Sequence, residues 1–99
     1  MGREEEELTR RYRALLKALY ELPTFAERGW HHVELAQVCL QANDLASTAW
    51  HLGQAASIAR GIGHAELLAR VRAARGTMAP WARAYADVTH LDELLSDAQ

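Results

Sequence analysis

The side chains best suited to chemistry in this sequence are one cysteine, Cys39, and five histidines at positions 31, 32, 51, 64 and 90. Cys39 follows His32 by seven residues, about two helical turns or about 10 Å along an axis. A cysteine nucleophile needs its base within hydrogen-bond reach and a third group to orient that base. The surrounding stretch, "LAQVCLQANDLASTAWHLGQA" at positions 35–55, instead gives Cys39 a packing position among small apolar residues. His31 and His32 are adjacent, so on a helix they diverge by about 100° and cannot share an ion. Glu27, His31 and Glu34 do share a face at i, i+4 and i+7. These are possible ligands for a divalent cation, but the same spacing describes an ordinary solvated helix face, and no metal motif accompanies it. His51 follows Trp50 on what the apolar pattern makes the outward side of its helix. His64 stands just before a helix, where it can cap, and His90 is alone. Gly61-Ile62-Gly63 follows a helix rather than a strand, so it reads as a stop and not as a phosphate loop. No catalytic residue, metal site or cofactor is expected.

These residues are carried by helices. From Glu4 to Leu22, apolar residues at Leu8, Tyr12, Leu15, Leu16, Leu19 and Leu22 keep gaps of three and four. The acidic run Glu4–Glu7 favours the positive end of the helix dipole, and Pro23 ends the segment. Thr24 and Glu27 have the spacing of a capping box, which starts a second helix over Phe25–Ala42. Its apolar positions spread over more than one stripe, as expected of the most buried helix, and Gly29 permits a close backbone approach. Asn43-Asp44 makes the turn, with Asp44 as N-cap of a third helix that Gly61 and Gly63 close. A fourth helix spans Ala65–Met78. Pro80 suits the first turn of a fifth, which can break near Val88 if Thr89-His90-Leu91-Asp92 restarts it. No alternating β-branched run is present. The expectation is a single all-α domain over 1–99, with about five antiparallel helices: an N-terminal helix (1–22), a helix pair (24–60) and C-terminal helices (64–97).

With 99 residues, 49% hydrophobic and 24% charged, the chain suits one folded domain. Its net charge of −2 is unevenly placed. Arg60, Arg70, Arg72, Arg75 and Arg83 make 60–83 basic, whereas Asp87, Asp92, Glu93 and Asp97 make the C-terminal segment acidic. Pairing of the two segments is the simple account. The basic bias is too small for a nucleic-acid footprint, and the arginines have no helix-turn-helix frame. One cysteine forms no internal disulfide, the charged N-terminus is unlike a signal peptide, and no apolar run reaches membrane length. A cytoplasmic setting is expected.

The second and third helices resemble a tetratricopeptide repeat. Leu35 and Ala36 stand at its Leu-Gly step, Cys39 at its tyrosine, Asn43-Asp44 at its turn, Leu52 at an aromatic position and Ala55 at its invariant alanine. Thr48 and the Gly61–Gly63 stretch depart from the pattern. Over about 33–95 the chain also resembles the C-terminal helical-repeat region of actinobacterial Xre-like helix-turn-helix transcription regulators. The matching phrases are the stretch above, "ARVRAAR" at 69–75, and "PW…V…LDELL" from Pro80 to Leu95. In that family a DNA-binding domain precedes the repeats; here only one short helix does, so direct nucleic-acid binding is not carried over. The resemblance implies a protein-interaction surface that joins two copies or takes a partner or a peptide or small-molecule effector. A repeat leaves apolar faces that neighbours must cover. The candidate interface or pocket residues are therefore Trp30, Trp50, Trp81, Tyr85 and Met78, together with Arg72 and Arg75. The alternative is an apolar effector pocket lined by Trp30, Trp50, Tyr85 and Met78.

Overall fold

In the computed structural model, which describes residues 2–96, the fold is all-α. Helix α1 spans Arg3–Leu19, α2 Phe25–Gln41, α3 Leu45–Ile62, α4 Ala65–Gly76 and α5 Ala86–Leu95; a 3₁₀ segment, Pro80–Ala84, precedes α5.

The helix boundaries follow from local chemistry. Helix α1 stops three residues short of the expected Leu22. There the amides of Glu21 and Leu22 turn back to the carbonyls of Ala18 and Leu19, a tightened exit ahead of Pro23, which disfavours helix at the residue before it. The Thr24 hydroxyl accepts the Glu27 amide at 3.1 Å. The Glu27 carboxylate accepts the Thr24 hydroxyl rather than its backbone amide, so only half of the capping box forms. Asn43 takes a left-handed φ of 64°, and Asp44 caps Ser47 at 3.0 Å. Gly63, at φ 69°, closes α3 while the His64 amide reaches Ala59. His64 Nδ1 then accepts the Leu67 amide at 3.1 Å, as its place before a helix suggests.

The C-terminal part departs further from expectation. Helix α4 ends at Gly76, two residues before Met78. The fifth helix is interrupted at Tyr85, which is extended (φ −85°, ψ 135°), three residues before the break anticipated at Val88. Thr89 does not restart the helix as a cap. Its hydroxyl lies 2.9 Å from the Arg83 carbonyl, to which it donates, and 3.2 Å from that of Tyr85, which already accepts the Val88 and Thr89 amides.

Helix α3 is central, packed against α2, α4 and α5, whereas α2 also meets α1 and α4. Both are heavily buried, so the expected privilege of α2 is shared. The core joins Leu52, Leu67, Val71, Val88 and Leu91, all at 1% exposure or less, through small residues of α3 such as Ala55 and Ala56.

The basic and acidic segments meet through the Arg75–Asp92 ion pair and through arginine bonds to backbone carbonyls. Arg60 donates to the Leu94 and Ser96 carbonyls, and Arg72 to that of Leu95. Arginines from α3 and α4 thus hold the negative end of α5. Arg75 grips Asp92 with two bonds of 2.6 and 3.0 Å. Its hydrogen bonds hold the carboxyl below the usual aspartate range. Asp97 lies outside the described residues. Because Asp92 is 42% exposed, Arg75→Ala should lower stability by only about 1 kcal/mol. The loss, read from urea midpoints, should shrink in 1 M salt.

Candidate functional site

The residues with most chemical potential converge where α1 crosses the α2–α3 hairpin. His32 Nδ1 and His51 Nδ1 are 2.9 Å apart, and His51 Nε2 is 2.9 Å from the Tyr12 hydroxyl. Three helices are joined by one polar chain. His32 and His51 are 6% and 1% exposed, so the outward position expected for His51 is overturned. The reason is geometric: His51 is three residues after buried Thr48 and four before buried Ala55, on the flank of α3 that turns toward α1 and α2.

Two imidazole nitrogens at this separation hold one proton between them. Either Tyr12 donates to His51 and His51 to His32, or both bonds reverse; one tautomer sets the other. Burial lowers both imidazoles to about 4, and for His32 the neighbouring His51 and His31 add to it; at His51 the Asp44 carboxylate pulls the other way. Burial also raises Tyr12, helped by the nearby Cys39 and Asp44.

Trp50 stands against this chain. Its ring meets His32 and His51 edge-on at 6.0 and 5.0 Å, yet it is 57% exposed. Trp30 meets His64 edge-on and is 39% exposed, while Trp81 and Tyr85 lie side by side at 6.1 Å. Met78 is in the core. The expected aromatic pocket is therefore not assembled: Trp30, Trp50 and Tyr85 are surface side chains on different elements, and Met78 points away from solvent. Arg72 and Arg75 are engaged within the fold.

Cys39 is buried, and burial, with Asp44 adding, pushes its thiol up to about 11, far from a thiolate at neutral pH. His31 donates through Nε2 to the Leu15 carbonyl at 2.6 Å, tying α1 to α2. Its Nδ1 lies 3.6 Å from Glu34. Glu27 is engaged with Thr24, and among the described residues no three His, Cys, Asp or Glu side chains converge to hold a metal ion. Among those residues no helix is long and apolar enough to cross a membrane.

Compared with known protein families, curated proteins and solved structures, the chain matches none.

Proposed function

We propose that this chain is a non-enzymatic helical interaction module that self-associates, with Trp50 as the anchor of the contact. We place it with the tetratricopeptide-like modules attached to cytoplasmic transcription regulators, where a partner protein or a peptide effector is the other possible occupant of such a face. The observation that carries the reading is the state of Trp50, an indole more than half exposed whose orientation is held by two buried imidazoles. Tryptophan is enriched among residues that dominate contact energies, and a side chain already ordered loses little freedom on binding.

The non-enzymatic part rests on the reactive groups themselves. The Cys39 thiol is held protonated, and the two buried histidines spend their facing nitrogens on each other. None of these three groups is an activated nucleophile at neutral pH.

Light scattering on concentrated protein should give a mass near twice 11.1 kDa. Trp50→Ala should weaken the dimer by at least about 30-fold, the equivalent of about 2 kcal/mol, without loss of helical signal. Trp81→Ala tests the Trp81–Tyr85 pair as the competing anchor. A strictly monomeric protein at millimolar concentration would remove the self-association reading.

A further inference from the structure

We infer that the groove between α1 and the α2–α3 turn is a binding site for a small organic ammonium, an amine carrying an apolar body. The groove encloses about 390 Å³, within the range of small-ligand sites. Leu8 of α1 and Val38 of α2 give it an apolar floor, and the ring of Tyr12 forms a wall. That wall is fixed in advance, because the Tyr12 hydroxyl is bonded to buried His51.

The polar groups choose the ligand's charge. Glu5 and Asp44 both line the groove, and no lysine, arginine or histidine does. Among the described residues neither carboxylate is in an ion pair; one oxygen of Asp44 caps Ser47, leaving the other open. The Cys39 thiol, 5% exposed, also lines the groove and has no hydrogen-bond partner among the described residues. The field there is negative: Asp44 adds to burial in raising both the Cys39 thiol and the Tyr12 phenol. An anion is repelled, and a neutral apolar molecule gains nothing from the two carboxylates, which are exposed. An ammonium satisfies them, and can also lie against the tyrosine face. Its apolar body covers Leu8 and Val38.

The site is separate from the Trp50 contact, so a monomeric protein would still show it. The test is a titration with phenethylammonium chloride at pH 7 and low salt, followed by amide NMR shifts. Saturable shifts should map to Thr9, Tyr12, Val38, Cys39 and Ser47, with a Kd of about 1 mM, as expected for so few heavy atoms. The neutral and anionic analogues, 2-phenylethanol and 3-phenylpropionate, should bind at least tenfold more weakly. Glu5→Gln with Asp44→Asn should cost the amine a similar factor, because asparagine keeps the helix cap and removes only the charge. If that double variant does not fold, 0.5 M salt applied to the native protein makes the same test. The proposal fails if no residue of the groove shifts, or if all three compounds bind alike.

Discussion

Lowering the pH from 7 to 4 is expected to take about 3 kcal/mol or more from the stability of this fold, through the His32–His51 pair. Both imidazoles are depressed from 6.5 to about 4, first by burial. Between those values the unfolded chain binds protons that the folded chain refuses, so stability rises with pH across the window. Going down in pH, the loss begins near 6.5 and is complete below about 4. A shift of about 2.5 pH units is worth about 3 kcal/mol for the first proton. The second is opposed further, since two protonated Nδ1 atoms 2.9 Å apart would place hydrogen against hydrogen. The surrounding groups do not cancel this. Tyr12 on α1 is neutral, His31 on α2 opposes a nearby positive charge, and only Asp44 favours one. Asp92 acts lower down. Its carboxyl is depressed by Arg75, so its contribution is present above the ordinary aspartate value and is lost as pH falls through the folded one. Urea midpoints at pH 7.5, 5.5 and 4.5 follow the histidine window while staying above that of Asp92. His32→Leu with His51→Phe should flatten the curve between 6.5 and 4. By contrast His51→Ala alone should cost about 2–4 kcal/mol at pH 7, since it leaves a cavity and strips His32 and Tyr12 of their partner. An unchanged midpoint between pH 7.5 and 4.5 would mean that the pair is not buried as described.

What the sequence makes legible here depends on how local the cause is. Caps and stops are local. Thr24, Asp44, Gly63 and His64 act on amides or dihedrals within a few positions, and each does so in the structure. The apolar period of α3 is equally plain, but a single stripe drawn through Leu52 leaves His51 outside it. The signal that would have placed His51 is its spacing from Thr48 and Ala55. It becomes visible only when α3 is allowed a face wide enough for several neighbours. The bond to Tyr12 joins residues 39 apart in the chain, and no pattern within one helix contains it. The same holds for the arginines. Opposite charge in two segments shows that they attract, not that Arg60 and Arg72 will take backbone carbonyls at the end of α5.

Gly29→Val should destabilise the protein by about 3 kcal/mol, even though glycine is a poor residue for the middle of a helix. A Cβ built at Gly29 would overlap the end of the Leu67 side chain and come within 3.3 Å of Ile58. Leu67 is fully buried and Ile58 packs on the core, so neither has free space to enter. Gly29 is thus the point where the backbone of α2 approaches α3 and α4. Replacing glycine by alanine in a helix ordinarily gains about 1 kcal/mol, but overpacking costs about 1–3. Gly29→Ala should therefore end near neutral or slightly destabilised. Valine adds two further methyl groups to the same junction and loses. Gly61 is the control: a Cβ there meets nothing within 4 Å, and its helical backbone accepts alanine. Gly61→Ala should raise stability by about 0.5–1 kcal/mol. The cause can be isolated with Leu67→Ala, which alone should cost about 2–5 kcal/mol as a core truncation. Combined with Gly29→Val, the two losses should sum to less than their separate values, because the truncation vacates the space that the valine needs. Full additivity would assign the cost of Gly29→Val to some other contact and dissolve the close approach of α2 to α4 at this point.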